Sequence, residues 1–459
     1  MDKGNNVSLA EGQEVKLKRV LSLPYLVVFG LAYLAPTVVF NYYGIMTVMT
    51  NGMMALAYVI TTIVMFFTAY SYARMVEAFP VAGSAYTYVQ QSMNPYFGFV
   101  TGWLMLLDYL LLPMICYLLL GIYINEFFPQ IPIWSIVVFF VVVGGIINII
   151  GVKTAAKVNT IIITAQMLFT LLFVIVIIKL LLGGDGAGTL VSSKAIYNPE
   201  EFNMGNILAA SSILAVSFLG FDAVTTMAEE TINPKKTVGR AIMIVCVGAG
   251  IVFAIVSYFA QLAWPTAFME IQNEDAGIFE LLPRLGSYMS TLFFVTDNLA
   301  SFICAMAGLA AVSRILYGMG RDGVLPESVF GRLHKRFQTP ALNIIITSGV
   351  ALTAIFYSDN LMGAASLISF GAVSGFLLVN LSVIMYYYVR HKKRGPANTV
   401  RYLIMPAIGA IVCAILWISI ETPAKILGSI WLLIGIVYLA FKTKFFKVAP
   451  PVMDISEEE

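Results

Sequence analysis

Three carboxylates stand where hydrocarbon is expected. Asp108, Asp222 and Asp297 each lie well inside a long apolar run, and no lysine or arginine lies comparably deep. An acid at bilayer depth is costly to bury, so it faces a cavity or a partner. Acids without buried bases suit a cationic substrate, a proton, or both. A protonated diamine fits such a set. Carboxylates and backbone carbonyls hold its ammonium ends, and aromatic faces flank its apolar middle. Tyr33, Phe40, Tyr109, Phe218 and Phe221 supply nearby rings. Plainer readings stand beside these. Asp108 could be a protonated acid bonded to a neighbouring helix, Asp297 could share a polar helix contact with Asn298, and the rings could be packing.

Other chemistries lack their residues. The two histidines, His334 and His391, fall in basic polar loops, and no His/Cys/carboxylate cluster has metal-ligand spacing. No glycine-rich phosphate loop follows a strand, and no nucleophile–base pair appears. Neither an enzyme nor a metal or other cofactor is expected. The four cysteines, Cys116, Cys246, Cys304 and Cys413, lie inside apolar runs and read as small buried hydrophobes, with no disulfide framework.

The elements that must position the acids are membrane helices. The chain is 59% hydrophobic and 11% charged, against about 25% charged in soluble domains. Its apolar runs are each long enough for ~30 Å of hydrocarbon. Without strand-like alternation, a barrel is excluded. The expected fold is an all-α polytopic membrane protein with twelve spans. These lie near 23–49, 53–78, 96–123, 133–150, 159–182, 206–228, 238–262, 288–318, 341–357, 363–389, 400–419 and 426–442. An even count puts both termini on one side. With the termini inside, only Lys179, Lys194, Arg284 and Lys425 of the 27 lysines and arginines stay outside. The positive-inside rule therefore predicts a multi-pass protein of the cell (inner) membrane with both termini cytoplasmic. The basic loops need no nucleic acid to explain them. Met1–Val20 lacks the layout of a cleavable signal peptide, and the acidic tail Ser456–Glu459 reads as a solvated end.

Two spans are interrupted. In span 6, Ser217-Phe218-Leu219-Gly220-Phe221-Asp222 sets a glycine among bulky residues and a carboxylate mid-membrane. In span 1, Leu31–Phe40 carries Pro36, which removes a donor and clashes with the carbonyl four residues back. Broken helices free N–H groups on one half and C=O groups on the other. Two breaks at corresponding places in two five-span halves are the sign of an inverted-repeat transporter. Gly371 and Gly375 in span 10 form a close-packing GxxxG. Arg74 and Glu77 read as an ion pair at a helix end, and Glu229 and Glu230 either gate the inner mouth or face Lys235, Lys236 and Arg240.

These residues carry a family resemblance. Phe79-Pro80-Val81-Ala82-Gly83-Ser84-Ala85-Tyr86-Thr87-Tyr88 resembles the loop after span 2 of the amino acid–polyamine–organocation (APC) permeases. So do Phe218–Ala223 with Glu229-Glu230-Thr231 and Asn233-Pro234, and Ser313-Arg314 with Met319–Pro326. Gly30–Leu34, Leu107-Asp108-Tyr109 and Phe221–Thr226 are similar to the bacterial putrescine importers of that superfamily. The resemblance implies a 5+5 inverted repeat with broken helices 1 and 6, plus two extra C-terminal helices. The segments are then 1–22, 23–182, 183–389, 390–442 and 443–459. It also implies a site between the breaks and spans 3, 8 and 10. Tyr33, Leu34, Ala35, Pro36, Thr37, Asp108, Tyr109, Phe218, Gly220, Phe221 and Asp222 are expected to contact substrate. Asp222, Asp297, Gln166 and Glu230 are expected to couple or gate. Gln166 departs from the family, several of whose members carry a proton-coupling lysine in span 5.

The expected function is secondary-active import of a small cationic amine such as putrescine, coupled to protons, with sodium left open, by a monomer or homodimer in the lipid bilayer. An amino acid permease is the rival within the class. An ion channel is the rival outside it, and the paired broken helices and the lack of a repeated filter loop stand against it.

Overall fold

A chain away from water must close its own backbone hydrogen bonds, and a helix does so within one segment. The computed structural model describes residues 19–80, 84–151, 156–321, 323–448 and 450. Among these residues the regular structure is helical, with one isolated bridge between Leu21 and Thr231. Among the described residues ten helices are long and apolar enough to cross a bilayer, from Met54–Ala78 to Thr422–Lys442. Two expected spans differ. Span 1 is divided into Leu23–Leu34, Val38–Asn41 and Tyr43–Met49, and span 9 is the shorter helix Ala341–Ala351 with a tight 3-10 turn over Leu352–Tyr357. The N-terminal lysines Lys3, Lys16 and Lys18, the loop residues Val81–Gly83, Asp322 and the acidic tail lie outside the described residues.

Helix starts follow their caps. Asn94 accepts from the Phe97 N–H ahead of Pro95, Asn203 accepts from Asn206 N–H, and Asn360 accepts from Gly363 N–H. Each side chain satisfies one of the donors a helix start leaves open.

Burial sorts the helices into centre and rim. The apolar windows of spans 3 and 6 are 89% buried, whereas that of span 12 is 22% buried. Span 12 exposes Ile430, Leu433, Ile434 and Val437, a face suited to lipid. Small residues let the central helices close up. A Cβ on Gly371 would stand 2.6 Å from the Leu104 carbonyl oxygen, so span 10 packs backbone to backbone on span 3. Span 12 is tied to span 3 by Trp103 and Trp431. Their rings stack at 4.7 Å, and each indole N–H donates to the other's backbone carbonyl, at 2.9 and 2.8 Å. Arg74 and Glu77 pair at 2.7 Å.

Candidate substrate site

Both breaks have local causes. In span 1 the helix stops at Leu34, Ala35 takes φ +49°, and helix resumes at Val38 after Pro36 and Thr37. In span 6, Met204–Leu214 tightens into a 3-10 turn over Ala215–Phe218. Leu219 is then extended, Gly220 takes φ +115°, and a second 3-10 run covers Asp222–Glu230. A Cβ on Gly220 would lie 2.5 Å from the Tyr33 ring. The two breaks therefore touch, and only glycine fits both the dihedral and the contact.

The first cluster forms at this junction. Asp222 Oδ1 accepts from the Gly220 N–H at 3.4 Å, reaching back across the break. Asp108, Asp222, Tyr33 and Tyr109 lie within electrostatic reach of one another. Asp108 and Asp222 are 6% and 5% exposed, too little for bulk water to solvate two charges. Among the described residues no hydrogen-bond donor or cation reaches the Asp108 carboxylate. Gly371 sets its height, since a Cβ there would stand 3.4 Å from the Asp108 amide nitrogen.

A second cluster joins spans 5, 1 and 8. Gln166 Nε2 donates to Thr37 Oγ1 at 2.7 Å, and Thr37 Oγ1 donates to Asp297 Oδ1 at 2.7 Å. Ser301, one turn along span 8, donates to Asp297 Oδ2 at 3.4 Å. Thr37, Gln166 and Asp297 are all buried. Asn298 donates to the carbonyl of Phe294 in its own helix. It was Asp297 that found the neighbouring helix.

Two cavities adjoin these clusters. One, of about 80 Å³, is lined by Tyr33, Ala35, Thr37, Gln166, Asp297 and Cys304 among others. The other, of about 320 Å³, runs from Tyr25 and Thr160 to Tyr33, Gln166 and Cys304. Leu34 lines the smaller cavity with Leu112 and Cys116, which share the Asp108 face of span 3. Asp108, Tyr109 and Asp222 stand beside these two cavities rather than in their walls.

The other rings are packed. Phe40 sits edge-on against Phe169, Phe173 and Phe293, at 5.3, 4.8 and 5.6 Å. Phe293 in turn meets Tyr123 and Phe279. Phe218 packs on Phe253, and Phe221 lies between Tyr72 and Phe376. Glu230 meets the start of span 1 through its backbone. Its carbonyl accepts from Val20 and Leu21 N–H, at 2.8 and 2.9 Å, tying the start of span 1 to the end of span 6. The Glu229 side chain lies outside the described residues. Sequence reasoning missed Ser301, Leu112 and the thiols of Cys116 and Cys304. The helical spacing of Asp297, Ser301 and Cys304, and of Asp108, Leu112 and Cys116, carried that signal.

Two broken helices in contact, flanked by buried acids, are the form of a solute carrier. The family model described as amino acid permease matches residues 26–447. The chain belongs to the amino acid permease family. This permease is 37% identical over 439 residues to the low-affinity putrescine importer PlaP of Escherichia coli K12, across 95% of this chain and 96% of the relative. It is 24% identical over 466 residues to the branched-chain amino acid permease BcaP of Bacillus subtilis, across 96% of both. It is also 24% identical over 460 residues to the methylthioribose transporter of that organism, across 95% of this chain and 96% of the relative. The permease is thus a multi-pass membrane transporter of the APC type, not an enzyme.

Proposed function

We propose that this permease imports a small cationic amine of the putrescine class, coupled to protons, by alternating access. The observation that carries the reading is the buried pair Asp108 and Asp222 where the two breaks meet, with no protein cation or donor on Asp108 among the described residues. An ammonium group supplies what that carboxylate lacks. Each acid takes one end of a diamine, and Tyr33 and Tyr109 flank it. The 37% identity to PlaP supports the same class. The frame is twelve spans in the inner membrane, spans 1–5 and 6–10 as inverted repeats, and both termini cytoplasmic. The larger cavity is then the inner route, and the Phe40–Phe293 cluster is the outer seal.

Coupling runs through a carboxylate that bonds one of the breaks, Asp222 first and Asp297 beside it. Gln166 does not titrate, so the proton resides on a carboxylate. Asp297 bonds the break in span 1 through Thr37, and Asp222 bonds the break in span 6. Protonation of either alters a contact to a segment that alternating access must move.

Uptake of labelled putrescine by purified permease in liposomes, with pH and sodium gradients imposed separately, tests the reading. Asp108→Asn leaves one ammonium unpaired, a loss of ~2–5 kcal/mol, by analogy with truncated buried pairs. That is about 30-fold to several thousand-fold in affinity. A monoamine of similar length binds the parent poorly and loses much less. Branched-chain amino acids competing far better than putrescine would replace the amine by an amino acid. The relation to BcaP is the observation behind that second reading.

A further inference from the structure

We propose that Cys116 and Cys304 form a reactive dithiol on the central cavity, and that a peroxide entering from the cytoplasm joins them into a disulfide that halts transport. The two thiols, on spans 3 and 8, are near enough to influence each other electrostatically. Both line the 80 Å³ cavity, beside Thr37 and Asp297. Cys304 is only half-buried and also lines the 320 Å³ cavity, so a small polar oxidant has a path to it. The helices are close at this level. A Cβ on Gly308, one turn from Cys304, would stand 3.0 Å from the Pro113 ring, one turn from Cys116. A disulfide needs Cβ atoms about 3.5–4.5 Å apart, a spacing that facing side chains on helices this close can reach. The other cysteines differ. Cys246 and Cys413 are fully buried in spans 7 and 11, and Cys413 bonds Thr68.

The chemistry balances with hydrogen peroxide as the two-electron oxidant. The Cys304 sulfur attacks one peroxide oxygen, the O–O bond breaks, and the leaving hydroxide takes the thiol proton as water. Cys304 is then a sulfenic acid. The Cys116 sulfur attacks that sulfur, the S–O bond breaks, and the departing hydroxide leaves as water with the Cys116 proton. Two thiols and one peroxide become one disulfide and two waters. Disulfides facing a reducing cytosol are usually transient and regulatory. This one ties span 3 to span 8 next to the break in span 1, whose pieces must move during transport.

The test uses the full-length permease in liposomes, treated with hydrogen peroxide and then digested under non-reducing conditions. A peptide pair joined through Cys116 and Cys304, two hydrogens lighter than its parts, is expected. Uptake should fall at least tenfold and return with dithiothreitol. Phenylarsine oxide, which bridges two near thiols with loss of one water, should inhibit at one equivalent. Cys116→Ser and Cys304→Ser should each resist both reagents, while Cys246→Ser and Cys413→Ser stay sensitive. Cys304 oxidised alone to the sulfinic acid would overturn the proposal. Equal inhibition of Cys116→Ser by the arsenical would do the same. The cross-link is read by mass on the unaltered protein and does not depend on the substrate. Only the uptake readout rests on the transport reading, so a cross-link with unchanged uptake of a substrate that is transported overturns the switch alone.

Discussion

Gly220 meets two demands with one missing atom. Its φ of +115° lies where side-chain-bearing residues rarely go, and its α-carbon faces the Tyr33 ring. Gly220→Ala is expected to cost about 1–3 kcal/mol through backbone strain and overpacking, and to displace Tyr33 from the junction. A lower melting temperature in detergent, with uptake reduced at least tenfold, checks it; unaltered uptake would detach the junction from transport. Thr37 works by donation. Thr37→Val keeps the shape, removes the hydroxyl that bonds Asp297, and strands Gln166 Nε2. A loss of about 1–3 kcal/mol is expected, because buried polar groups are left unmade, and Thr37→Ser should restore most of it. Melting curves of the two variants make the comparison.

Spans 3 and 10 behave as one element. Gly371 and Gly375 let span 10 lie on span 3 at the turn that carries Asp108 and at Met105 beside it. Gly371→Ala puts a methyl 2.6 Å from the Leu104 oxygen, so one helix must retreat. The expected cost is about 1–3 kcal/mol. Putrescine affinity should fall as well, since the retreat moves Asp108; a stability loss with affinity intact would mean the two helices do not set the site. The short helix Ser84–Ser92 is held at its end by Arg390, which donates to the carbonyls of Gln91 at 2.8 Å and of Met93. Positive charge at a helix C-terminus is favourable. This ties the end of span 10 to the connection before span 3, as the clamp of Val20 and Leu21 on Glu230 ties span 1 to the end of span 6.

At the scale of the molecule, charge carries the proposed orientation. In the proposed twelve-span frame all but four of 27 basic residues fall on one side, so a cysteine placed between Arg390 and Arg401 should escape an impermeant reagent added to intact cells. Strong labelling there would overturn the orientation. The connections around Asp275 gather acids. Burial raises the Asp275 carboxyl above the usual range, helped by Glu274 and Asp359 and opposed by a backbone hydrogen bond at Leu361. The folded state then holds this proton more tightly than the unfolded chain, so stability falls as pH rises through the folded value. Asp275→Asn removes that penalty. It should match or exceed the parent in melting temperature at neutral pH, with the advantage vanishing below about pH 4. A neutral-pH loss would show that the charge is compensated in place.

Some of this was written locally in the chain and some was not. Hydropathy alone fixed a helical membrane protein, because twenty apolar residues without backbone partners have one way to satisfy themselves in lipid. Pro36 and Gly220 marked both breaks, since each acts on its own dihedrals or hydrogen bonds. The acids were legible as anomalies for the same reason: a charge in an apolar run is costly wherever the run folds. Their partners were not legible. Thr37 meets Asp297 across 260 positions, and Gln166 meets Thr37 across 129. Which ring faces a cavity was equally hidden. Phe40, Phe218 and Phe221 read as candidate ligands, yet they packed against Phe293, Phe253 and Phe376, while Tyr33 kept both cavities. A side chain's chemistry and its backbone limits travel with its own position. What it touches depends on helices that meet only when the bundle closes, so the tertiary structure alone divided the acids into two clusters and brought two thiols to one cavity.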